Sequence, residues 1–151
     1  MSADENNVGE SEPGGQPSPH AGEATRVTEL IGIYHADGGL VGELRYIVGK
    51  LRGTAHCALC DVTHGLTGKK QSFQQCESAM PVPVKLLHLN ERPADVLEAS
   101  RGVTPCVLAR TEQGLRMLLG PAALDALGGR VRAFEVAVSA AMRDAGMTFT
   151  S

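Results

Sequence analysis

Leu30-Ile31-Gly32-Ile33-Tyr34 is an apolar run of strand length, and it halts at Asp37-Gly38-Gly39. Directly after that turn signal, Leu40, Leu44, Ile47, Val48 and Leu51 recur at helical spacing, with Glu43, Arg45 and Lys50 between them. A short apolar run followed by a period of 3.6 dictates a strand and then an amphipathic helix of about three turns laid against it. Gly53 is the expected helix stop.

The alternation returns further along. Val84-Lys85-Leu86-Leu87-His88-Leu89 reads as a second strand, and Pro83 suits its first position because no ladder N–H is needed there. Pro93 opens a helix carrying Val96, Leu97 and Ala99, ended by Gly102. Cys106-Val107-Leu108-Ala109 is a third strand. Thr111-Glu112-Gln113-Gly114 is a tight connection to a fourth at 115–119, and so short a link requires an antiparallel pair. Gly120-Pro121 starts a short helix through Leu127, broken at Gly128-Gly129. Val131, Phe134, Val138 and Met142 then mark a last helix, ended by Gly146. Strands joined through a helix are expected to run parallel with right-handed crossovers. The expectation is an α/β domain: a four-stranded mixed sheet in the order β-α-insert-β-α-β-β-α, with helices on its faces.

That order resembles the core of the thioredoxin-like family over about residues 28–146. Thr104-Pro105 stands just before the third strand, where the family keeps a cis-proline, and the Gly114 hairpin and the C-terminal helix also fall in family positions. The resemblance implies the fold, and it implies a substrate groove shaped by Thr104 and Pro105. It does not supply catalytic cysteines. The family's Cys-x-x-Cys follows the first strand directly, whereas here that place holds Tyr34-His35-Ala36-Asp37-Gly38-Gly39. His35 and Asp37 lie between a strand end and a helix start, the edge that hosts ligands in open α/β sheets, so both join the groove candidates.

The chemistry is concentrated in an insert at 54–80, which holds three of the four cysteines and shows no long period. In His56-Cys57-Ala58-Leu59-Cys60-Asp61-Val62-Thr63-His64, the residues Cys57, Cys60 and His64 share one helical face at i, i+3 and i+7. A Cys-x-x-Cys knuckle can also bring both sulfurs onto one ion, and Cys76 could close a Cys3His tetrahedron, a common composition for structural zinc. His56 and Asp61 are alternative or supporting groups. The first expectation is therefore a transition-metal site, most naturally zinc, held by Cys57, Cys60, His64 and Cys76. The second is a thiol–disulfide oxidoreductase, with Cys57 as the more exposed, attacking thiol and Cys60 resolving. A third is a non-catalytic partner-binding module, for an unspecified protein or small molecule. The plainest alternative is that both cysteines are small buried apolar residues.

Charge and composition narrow the partners. Net charge is −3, but five of the 17 acids lie in residues 1–25, which hold no Lys or Arg, leaving 12 acids against 14 bases. Only Lys69-Lys70 is densely basic, and 2 Tyr with 3 Phe offer little to stack bases upon, so no nucleic-acid partner is expected. Neither a G-x-G-x-x-G nor a phosphate-loop spacing occurs, and Gly-x-Ser-x-Gly is absent. The Gly-, Pro-, Ser- and Glu-rich residues 1–25 read as a disordered acidic tail before a domain at 26–151. No basic-then-apolar leader and no run of about 18 apolar residues is visible, so the expected location is cytoplasmic, without membrane contact. Reduced thiols are the default there.

Overall fold

A computed structural model describes residues 24–36, 57–65 and 68–150. The tail up to residue 23, Asp37, His56 and the helix expected from Leu40 to Leu51 lie outside the described residues.

Strand β1 runs Thr25–Ile33, and α1 is Ala58–Thr63. Two short strands follow, β2 at His64–Gly65 and β3 at Gly68–Lys69, then α2 at Gln71–Ala79. Strand β4 is Val84–Leu87, a single 3-10 turn spans Leu89–Glu91, and α3 is Ala94–Ser100. The hairpin strands are β5 at Cys106–Thr111 and β6 at Gly114–Leu119. Helix α4 is Pro121–Asp125, α5 is Val131–Asp144, and β7 is Met147–Phe149.

The sheet order is β4-β1-β5-β6, with β7 also paired to β1. β4 lies parallel to β1 from Leu30↔Val84 to Ile33↔Leu87. β7 lies parallel to the first part of β1, from Thr25↔Met147 to Val27↔Phe149. On the other side β5 runs antiparallel to β1, and β6 antiparallel to β5. The sheet is therefore mixed, with five strands rather than four. The fifth, β7, is only three residues long, too short to leave a periodic signal.

A second difference concerns the crossover. β4 and β5 are joined through α3 yet are neither adjacent nor parallel. Leu87 at the end of β4 and Cys106 at the start of β5 both sit opposite Ile33. The chain thus leaves and re-enters the sheet at the same end. Residues 88–105 are long enough for a crossover, so the return at the same end follows from where β5 finds its partner: it pairs antiparallel with β1 from Ile33↔Cys106 onward and then turns straight into the β6 hairpin.

Strand alternation sorts the core into two layers. Leu30 of β1, Tyr34 directly after it, and Val107 and Ala109 of β5 face the larger cluster, with Leu59, Val62, Phe73, Leu124, Phe134, Val138 and Met142 from α1, α2, α4 and α5. Ile31, Ile33, Cys106 and Leu108 face the opposite side and pack on Val96 of α3. The described part of the insert, 57–65 and 68–80, holds regular structure. α2 presents only Phe73 and Cys76 inward, and the Phe73 ring meets that of Phe134 edge-on at 5.9 Å.

Among the described residues no helix is long and apolar enough to cross a membrane.

Candidate functional site around Cys57 and Cys60

Cys57 is the N-cap residue of α1, and its sulfur accepts a hydrogen bond from the Cys60 backbone N–H at 3.3 Å. The Cα atoms of Cys57 and Cys60 are 5.2 Å apart, and their sulfurs lie at disulfide distance. This follows from the local sequence: a first helical turn brings positions i and i+3 together. Both cysteines are covered, Cys57 at 1% exposure and Cys60 at 7%. The order is the reverse of the one expected for an exposed attacking Cys57.

The helix is wedged in place. Gly32 lies beneath it in β1, and a Cβ added there would stand 3.1 Å from Leu59 Cδ2 and 2.9 Å from Leu86 Cδ2. A side chain at this position would have to push both leucine ends aside. At the far end, the Lys70 ammonium donates to the Asp61 carbonyl at 2.6 Å and to the Gly129 carbonyl at 2.8 Å. Gly129 has φ +72, and a Cβ added there would stand 3.2 Å from the Asp61 carbonyl oxygen and 3.3 Å from its Cβ, so the position favours a residue without a side chain on both counts.

A buried polar chain closes the last turn of α1. The hydroxyls of Tyr34 and Thr63 are 3.0 Å apart, and Thr63 Oγ1 is 2.7 Å from His64 Nδ1. The Tyr34 ring is flanked by the imidazoles of His64 at 5.7 Å and His88 at 5.0 Å. His88 is held in turn by Glu91, which accepts from both its backbone N–H and its Nδ1. Those bonds hold the Glu91 carboxyl below the usual carboxylate range.

The four residues expected to hold zinc are not gathered into one set. Cys57 and Cys60 come together, while His64 Nδ1 is engaged with Thr63. Cys76 lies on α2 in the apolar core, and burial followed by the nearby Glu135 pushes its thiol up to about 12. Among the described residues no three His, Cys, Asp or Glu side chains form a group able to hold a metal ion. Cys106 faces the opposite layer from the thiol pair, and burial raises its thiol to about 11.

Of the groove candidates, His35 and Thr104 meet: His35 Nδ1 lies 2.8 Å from Thr104 Oγ1. The Thr104–Pro105 peptide is cis. Asp37 is outside the described residues. Three site residues escaped the sequence reading: Tyr34, Thr63 and His88. Tyr34 was legible in principle, since it falls in phase with Leu30 and Gly32 on the face that receives α1. Thr63 falls one turn beyond Cys60. His88 carries no such signal.

Comparison with protein-family models, with curated proteins and with solved structures returned no match.

Proposed function

We propose that this chain is a thiol–disulfide redox protein on a thioredoxin-like scaffold, with Cys57 and Cys60 as its exchanging pair. The observation that carries this reading is the pair itself: two cysteines three apart, at disulfide distance, on the first turn of a helix. A Cys-x-x-Cys beside a βαβ unit reads as a redox motif when its thiols can cycle. The sheet order, with β5 antiparallel to β1 and a cis Thr104–Pro105 leading into it, supports the scaffold.

In this mechanism the reduced Cys57 thiolate attacks one sulfur of a substrate disulfide. The first substrate thiolate leaves and takes a proton. The Cys60 thiolate then attacks the Cys57 sulfur of the mixed disulfide and releases the second substrate thiol. The protein pair ends oxidised and the substrate reduced, and a dithiol reductant restores the cycle. The hydrogen bond from Cys60 N–H to the Cys57 sulfur holds that sulfur at the N-terminal end of α1. The coverage of both sulfurs means that exchange proceeds from a state in which the first turn of α1 opens locally. His35, Thr104 and Pro105 would line the approach for the substrate chain.

The test is turnover of a small aromatic disulfide with a dithiol reductant. Wild-type protein is expected to accelerate it. Cys57→Ser is expected to abolish the acceleration, and Cys60→Ser to accumulate a mixed disulfide at Cys57. Metal analysis of the reduced protein decides the zinc alternative: one equivalent of zinc that is lost in both variants would favour a metal centre over redox exchange.

A further inference from the structure

This inference rests on the redox reading of Cys57 and Cys60. Helix α1 has six residues, far below the length at which an isolated helix persists in water. Its geometry is therefore imposed by its attachments. One is the Cys57–Cys60 pair at its N-terminal end. Another is the hydroxyl contact of Thr63 with Tyr34 at its C-terminal end, 3.0 Å long and removed from water, with Thr63 at 0% and Tyr34 at 3% exposure. Tyr34 itself is fixed by the sheet, where its N–H donates to Leu87 O at 2.8 Å.

Two restraints on the ends of one short element cooperate, since each lessens the entropy that the other must overcome. By linkage the effect is reciprocal. We propose that Tyr34, acting through Thr63, is a positioning residue for the thiol pair: it keeps α1 formed when the disulfide opens, so that the two thiols stay within reach and the disulfide re-forms readily. The exchange at stake is the protein dithiol with oxidised glutathione, giving the protein disulfide and two molecules of reduced glutathione.

The experiment equilibrates the folded, full-length protein with mixtures of reduced and oxidised glutathione. Acid quenching, alkylation and mass measurement then give the equilibrium constant for the protein disulfide. Tyr34→Phe and Thr63→Val are each expected to lower that constant about fivefold, equivalent to about 1 kcal/mol at 1.4 kcal/mol per tenfold and typical of one hydrogen bond. Thr63→Ser retains the hydroxyl and is expected to restore the wild-type value. Thr111→Val is the control: it removes hydrogen bonds to Gly114 O and from Gln113 N in the distant hairpin, lowering stability without touching α1. If Tyr34→Phe fails to fold, the Thr63→Val and Thr63→Ser pair reads the same hydroxyl, and His64→Phe separates its contact with His64 from its link to Tyr34. Constants unchanged in Tyr34→Phe and Thr63→Val overturn the inference and leave the redox reading standing. A fall in Thr111→Val as large as in the others also overturns it, because loosening would then be general. A wild-type pair that forms no disulfide at any glutathione ratio overturns both.

Discussion

Lys70 and Gly129 are 59 positions apart in the chain and are joined by a 2.8 Å hydrogen bond from the lysine ammonium to the glycine carbonyl. The same ammonium binds the carbonyl of Asp61. One half-buried cation thus clamps the last turn of α1 to the turn between α4 and α5. Carbonyl oxygens facing each other would otherwise repel.

Lys70→Met retains the aliphatic stem and removes the clamp. Two charge-assisted bonds are lost and two carbonyls are left poorly solvated. The expected loss is about 2 kcal/mol, measured by urea denaturation, with the slope unchanged. A loss within experimental error would show that water replaces the ammonium at no cost.

Gly32→Ala tests the close approach of α1 to β1. The added methyl collides with Leu59 and Leu86, both at the ends of flexible side chains, so the strand survives and the packing shifts. A destabilisation of about 1–3 kcal/mol is expected from overpacking. Because the displaced element carries the thiol pair, reduction of Cys57–Cys60 by a small dithiol is expected to be faster in this variant.

Cys76 and Cys106 are expected to resist alkylation in the folded protein at about pH 8, where ordinary thiols begin to ionise. Both are buried, with thiols raised to about 12 and about 11. After reduction, iodoacetamide should label Cys57 and Cys60 first and reach the other two only on unfolding.

The same shifts set the alkaline limb of stability. In the unfolded chain both thiols ionise near the ordinary value of about 8.5. Folding holds them protonated. Their contribution is complete below that value and is lost as pH rises toward 11 and 12. Stability plotted against pH should fall more steeply above about pH 9 in wild type than in Cys76→Ala. Equal slopes would show that Cys76 ionises alike in both states.

The elements with strong apolar periods were readable. Ile31 and Ile33 on one face and Leu30 on the other mark β1, and Phe134, Val138 and Met142 mark the inner stripe of α5. The weakly patterned pieces were not. α2 offers Phe73 and Cys76 among glutamines and serine, and β7 is three residues docked onto the first part of β1. The antiparallel entry of β5 was not legible because a helical connection of this length permits either direction, and only the pairing of β5 with β1 decides it. Cys57 and Cys60 were legible as a pair from spacing alone. What surrounds them was not, because Tyr34, Lys70 and Gly129 reach α1 only through tertiary contact. Nor could spacing tell that Cys76 points into an apolar core rather than toward His64.

The most direct measurement is peptide mapping of the intact protein by mass spectrometry after mild oxidation, then after reduction. The account predicts that the peptide containing Cys57 and Cys60 becomes lighter by two hydrogens on oxidation. It should regain both on reduction, over repeated cycles, with Cys76 and Cys106 remaining free thiols throughout. An oxidised protein in which Cys57 and Cys60 stay as free thiols, or in which either pairs with Cys76, would contradict it.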